Sequence, residues 1–209
     1  MPIIKNKGEE IDYCRVFGGM AWPADKPGFV VAVGEHAVVY IHPAHLTQIN
    51  YHVLDSFESW DITALIKKCI EFKAKYHAAA FYGRYRKAGM DFLFDYNNAA
   101  YDKNLPRFDL DEAPNVDREG DRGQIQYHLN TLQTLIRDGV LHKRELEGTQ
   151  LYGHLLAIPQ QGLQDVTDKQ FPGPGALCYA CIALKTLPTD KEMKQEQAEV
   201  DAILDNYYD

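Results

Sequence analysis

Long apolar runs are missing from this 209-residue chain. Nothing approaches the roughly 18 to 20 consecutive apolar residues that a membrane span requires, and Met1 to Glu10 is too polar for the apolar region of a signal peptide. Neither a membrane partner nor secretion is expected, and a cytoplasmic location is. Cysteine is scarce as well. Cys14, Cys69, Cys178 and Cys181 are too few and too scattered for a disulfide framework, so reduced thiols are expected. Positive charge is in deficit, with 22 Lys and Arg against 30 Asp and Glu and a net charge of -8. That balance weighs against a general polyanion binder, because nonspecific nucleic-acid affinity comes from basic side chains displacing counterions at phosphates. No Walker pattern occurs; Gly173-Pro-Gly175 lacks the lysine and the Ser/Thr of a phosphate-binding loop, so ATP hydrolysis is not expected. No Gly-x-Ser-x-Gly occurs either, which removes the usual serine-hydrolase signature.

What is present is ordinary globular material: 45% apolar and 25% charged residues, enough to bury a full core as one domain. Residues 1–27 carry Gly18, Gly19, Pro23 and Pro27 with little periodicity and read as an N-terminal arm. Phe29 to Val33 is a continuous apolar run, as in a strand covered on both faces. Gly34 and Glu35 are suited to a tight turn into Ala37 to Ile41, which predicts a hairpin. A loop from His42 to Asn50 then leads to a third strand, Tyr51 to Phe57.

Asp61 can cap a helix running to about Tyr76, with Ile62, Leu65, Ile66, Cys69, Ile70 and Phe72 on one stripe. The step into Ala78 to Tyr82 is a crossover, which predicts a fourth strand parallel to the first. Met90 to Asn97 reads as a helix, residues 98–120 as a long loop or lid, and Gly123 to Asp138 as a helix capped by Gly139. Val140 to Glu145 reads as a short strand, Thr149 to Ala157 as a helix, and Ala176 to Leu184 as a compact apolar helix. Residues 28–188 make up the predicted domain, and residues 189–209 an acidic tail of helical propensity.

Several small motifs have bland readings that outweigh sharper ones. His42 and His45, near Glu35 and His36, invite zinc, but Pro43 argues for a loop and no further ligands follow at finger-like spacing. Cys178-Tyr-Ala-Cys181 lies inside an apolar helical run and reads as two core cysteines. Arg84-Tyr85-Arg86-Lys87 is the one basic and aromatic cluster, either a nucleic-acid contact or a solvated loop.

Five stretches taken in order carry a family resemblance. They are Val31-Ala-Val-Gly-Glu35, Tyr51-His-Val-Leu-Asp55, Ile125 to Val140 with the phrase Leu-Gln-Thr-Leu-Ile-Arg-Asp-Gly-Val, Leu151 to Pro159, and Asp165 to Ala183. Over roughly residues 28 to 185 the chain resembles the nuclease domain of phage terminase large subunits, the ribonuclease H-like module that cuts concatemeric DNA during packaging. The resemblance implies an α/β fold, a ribonuclease H-like mixed and mostly antiparallel sheet flanked by helices. It also implies DNA cleavage with Mg²⁺ or Mn²⁺ as cofactor, and DNA and other packaging proteins as partners. Glu35 and Asp168 are then the candidate catalytic metal ligands, with Asp55 and Asp165 as further ligands and Arg84, Arg86 and Lys87 on the DNA backbone.

The chain also departs from that family. Glu35 stands where an aspartate is usual, and Gly83 stands where a second acid is expected at the end of the fourth strand. Phe171 to Gly175 separates the acidic pair from the last helix. Two-metal phosphodiester cleavage needs carboxylates converging on ions about 3.5 to 4 Å apart. Water can replace one ligand of Mg²⁺, which keeps several waters; two displaced ligands are harder to replace. The alternative is therefore a nuclease-like fold that has lost catalysis and acts as a binding or assembly module. An α/β protein unrelated to nucleic acids is the third possibility.

Overall fold

The computed structural model describes residues 3–6, 8–23, 25–39, 47–83, 87–113, 130–141, 146, 149–156 and 171–188. A small antiparallel hairpin, β1 (Ile3–Asn6) and β2 (Glu9–Asp12), turns at Gly8, whose positive φ suits glycine. The main sheet contains β3 (Arg15–Ala21), β4 (Gly28–Val39), β5 (Thr47–Ser59), β6 (Ala80–Gly83) and β7 (Asp111–Glu112). Its strand order is β5-β4-β3-β6-β7. The β3/β4 and β4/β5 pairs are antiparallel, and β6 runs parallel to β3 and to β7. Helices α1 (Ile62–Tyr76), α2 (Lys87–Asp102), α3 (Gln150–Leu156) and α4 (Pro172–Thr186), with a helical stretch at 130–137, complete the described elements. None of the described helices is long and apolar enough to cross a membrane.

Both faces of the sheet are covered. On one face Phe17, Phe29, Val31, Val33, Tyr51 and Val53 pack against α4, with Leu132, Leu135 and Leu151 behind it. On the other, Val16, Met20, Val30, Ala32 and Phe81 meet Leu65, Ile66, Cys69 and Phe72 of α1 and Leu93 of α2. Helix α4 is buried on every side from Pro172 to Leu184, which is where a helix apolar all round must sit. Pro172 and Pro174 fall in its first turn, where an amide proton has no partner within the helix.

The fold agrees with the expected α/β class and a mixed sheet flanked by helices, but several local expectations are corrected. Residues 47–50, predicted as loop, begin β5, and residues 172–175, predicted as an insert before the last helix, are the first turn of α4. Residues 15–21, predicted as part of an arm, are the central strand β3. Gly18 and Gly19 are not breakers there. An added Cβ would strike the Phe81 ring at Gly18 and the Ala176 carbonyl at Gly19, so these positions let a ring and a helix backbone lie directly on the strand. The predicted hairpin at Gly34 and Glu35 is instead one uninterrupted strand, β4, and Gly34 makes room for the Tyr13 ring. The long loop at 98–120 contains the end of α2 and strand β7.

Other features follow the local signals. The Asp61 carboxylate accepts the Thr63 amide at 2.8 Å and caps α1. The fourth strand of the prediction, β6, follows a crossover through α1, but its expected direction is corrected: it runs parallel to β3 and so antiparallel to Phe29–Val33 of β4, because β4 itself is antiparallel to β3. Helix α3 coincides with the predicted 149–157 helix to within a residue. Tyr51 donates its amide to Val140, and Leu141 makes a parallel bridge to Tyr51. The tail 189–209 and the predicted helix before residue 130 lie outside the described residues.

Candidate functional site

Antiparallel pairing sets Arg15 opposite Glu35 and Glu35 opposite Tyr51, one row across three strands on the face that meets α4. Glu35 is only 3% exposed. Its Oε2 accepts Arg15 Nη2 at 2.7 Å, and the same guanidinium donates to the Leu184 and Leu187 carbonyls at 2.5 and 2.6 Å. These are terminal carbonyls of α4, without partners inside the helix and at the negative end of its dipole. The arginine satisfies them, and Glu35 supplies the charge that lets the arginine be buried. The pair thus ties the central strand to the last helix.

The groups around this row are held neutral. Burial, then the Glu35 carboxylate and Cys181, raise the Tyr51 phenol far above its ordinary range, with Arg15 opposing. Burial alone pushes the Cys181 thiol up to about 12; on the opposite face of the sheet, burial raises Cys69 well above the usual thiol value against the opposing charge of Lys73. Cys178 and Cys181 are buried thiols in no disulfide, the opposite of the electropositive, accessible setting of a reactive thiolate. An acid with a raised folded-state pKa stabilises the fold fully below its unfolded pKa, and that contribution is lost as pH climbs toward the folded value. Thermal midpoints are therefore expected to fall as pH rises above about 9, by up to ~1.4 kcal/mol of stability per pH unit for each such group. Cys181→Ala should reduce that slope in circular-dichroism melts.

The three candidates with described positions, Glu35, Asp55 and Lys87, do not gather. β3 runs parallel to β6, and Gly19 lies beside Tyr82, so the ends of both strands sit together near Met20, Ala21 and Gly83. Glu35 is level with Arg15, at the start of β3. At about 3.3 Å per residue, the five residues from Arg15 to Met20 put Glu35 about 17 Å from that end. The expected placement of Glu35 at the end of the first strand is thereby corrected, because the first strand of the sheet is β3. Asp55 pairs with Ala32 and lies on the α1 side, where it accepts Tyr76 Oη at 2.9 Å and Lys75 Nζ at 3.3 Å. Glu35 and Asp55 occupy opposite faces of the sheet and cannot share an ion. Asp165, Asp168, Arg84 and Arg86 lie outside the described residues, and Lys87 opens α2.

At the shared end of β3 and β6, neither strand contains an acid; they read Arg-Val-Phe-Gly-Gly-Met-Ala and Ala-Phe-Tyr-Gly. The described carboxylates on the α4 face stand at the flanks. Glu58, opposite Phe29 on β5, lies 3.5 Å from His154 Nε2 of α3. Asp111 lies beside Tyr82 on β7, and after burial it is the main cause of the raised Tyr82 phenol. Four strand spacings of about 4.8 Å separate β5 from β7, so Glu58 and Asp111 are about 19 Å apart, beyond bridging by one metal pair. Among the described residues no three His, Cys, Asp or Glu side chains are grouped to hold a metal ion.

Sequence reading missed Glu58 and His154, which are 96 positions apart and carry no motif. It also missed a polar cluster on the α1 side, where Tyr13 Oη and His52 Nδ1 are 3.0 Å apart and His36 meets the His52 ring edge-on at 5.6 Å. No protein-family model, curated protein or solved structure matches the chain.

Proposed function

We propose that this chain is a ribonuclease H-like fold without a two-metal centre, acting as a binding or assembly module. The strand order supports the fold assignment: three antiparallel strands, then two parallel strands reached through helices, ordered β5-β4-β3-β6-β7. The observation that carries the functional half is the absence of any carboxylate on β3 and β6, the two central parallel strands. In-line displacement at phosphorus with two metal ions needs acids converging there. Glu35, the buried acid of the sheet, is committed instead to Arg15 and the end of α4.

A second reading, a terminase-type nuclease using Mg²⁺ or Mn²⁺ on DNA, is favoured by the strand order alone and would need Asp165 and Asp168 as ligands. Plasmid cleavage separates the two. With Mn²⁺ present, the full chain is expected to leave supercoiled DNA intact, at the level of an Asp168→Ala variant. Manganese-dependent nicking that disappears in Asp168→Ala would establish the nuclease reading.

A further inference from the structure

Helix α2 presents two faces. The inner one is fully employed: Leu93 and Ala100 are buried, and Phe92 and Tyr96 pack against the core. Asn97 fixes the following segment by donating Nδ2 to the Phe108 carbonyl at 2.8 Å and accepting the Phe108 amide at 2.9 Å. The outer face carries Phe94 and Tyr101, exposed by 67% and 69%. They are seven residues apart, hence two turns and about 10.5 Å along the same side.

Leu105, 53% exposed, lies just past the end of the helix. A Schellman-type end places it there: Asn104 adopts a left-handed conformation, the Asn104 amide bonds the Tyr101 carbonyl, and the Leu105 amide bonds the Ala100 carbonyl. Exposed Asp91, Asp95 and Asp102 run beside the apolar line, and the chain as a whole has a net charge of -8. Two basic side chains are described at this end of the helix: Lys103, exposed, directly after Asp102, and Arg107, stacked 4.8 Å from the Tyr101 ring centroid.

We propose that the outer face of α2 docks a basic amphipathic helix of a partner protein. An apolar ridge of Phe94 and Tyr101, with Leu105 just past the helix end, matches the i, i+7 anchors of such a helix, and the neighbouring aspartates match its lysines and arginines. Nucleic acid is disfavoured on this face because aspartates line it and phosphates would be repelled. The proposal gives the binding-module reading its surface and partner, and rests on it.

The test is fluorescence anisotropy of the full chain with a labelled 20-residue helical peptide of leucine on one face and lysine on the other. Phe94→Ser/Tyr101→Ser and Asp91→Asn/Asp95→Asn/Asp102→Asn are each expected to weaken binding at least tenfold. An equal change of charge elsewhere, Glu10→Gln/Asp12→Asn/Asp25→Asn, is expected to change it less than twofold. Equal losses in both charge variants, no binding by the wild type, or preferential binding of a DNA duplex by this face would overturn the proposal. A protein that nicks plasmid yet binds the peptide through α2 would keep this surface while removing the non-catalytic reading.

Discussion

Gly19→Ala is expected to lower the thermal midpoint more than any other single methyl addition in this protein. The new Cβ would lie inside the Ala176 carbonyl, with the carbonyl carbon 2.7 Å and the Ala180 amide nitrogen 3.1 Å away. All of these are backbone atoms of α4, so no side chain can swing aside. Overpacking a core costs about 1 to 3 kcal/mol and occasionally more. A rigid contact between strand and helix belongs at the upper end, at or above ~3 kcal/mol, which is a large share of the ~5 to 15 kcal/mol that holds a domain together. For a chain of this size that corresponds to a fall of roughly 6 to 12 °C in Tm. Gly139→Ala is the comparison: nothing lies within 4 Å of its would-be Cβ, and only its positive φ opposes the change. A Gly19→Ala protein that melts within a degree or two of the wild type would mean that α4 does not lie on β3.

The second large effect is expected at the buried ion pair. Arg15→Met leaves the Glu35 carboxylate buried without its cation and the Leu184 and Leu187 carbonyls without their donor. Removing one partner of a buried pair costs about 3 to 5 kcal/mol, whereas replacing both by apolar groups of similar volume is often close to neutral. Glu35→Met is expected to destabilise as well, and Arg15→Met/Glu35→Met to recover part of the loss. The coupling in such a cycle should be at the high end of the ~0.5 to 3 kcal/mol seen for residues in contact. Urea denaturation of the four proteins measures it. Additive losses would show that the two side chains act separately, and an unchanged Glu35→Met protein would return Glu35 to a role outside the fold's stability.

The sequence disclosed those parts of the fold that local rules determine. Helix α1 was legible because Asp61 and an apolar stripe at helical spacing specify it within fifteen residues. The apolar run of α4 was legible for the same reason, and β5 was legible from Tyr51 to Phe57 but not in its first four residues, 47–50, which read as loop. Strand β3 was not, because Gly18 and Gly19 are punctuation in isolation and become strand residues only once Phe81 and Ala176 press against them. Missing β3 made the start of β4 the first strand, and splitting β4 at Gly34 kept β5 and β6 in third and fourth place. That split is why Glu35 was expected at a strand end, when it lies inside a twelve-residue strand facing Arg15. Arg15, 169 positions from Leu184, gave no local sign of its task, and the Glu58–His154 pair gave none either.

The central claim, that the sheet carries no catalytic metal centre and that Glu35 serves the fold, is tested most directly by isothermal titration of Mn²⁺ into the wild type and Glu35→Gln, each also melted without metal. The expected result is no saturable binding at submillimolar Mn²⁺ in either protein, together with a lower Tm for Glu35→Gln. Saturable micromolar binding by the wild type, abolished in a Glu35→Gln protein of unchanged Tm, would contradict the account and place a metal site at Glu35.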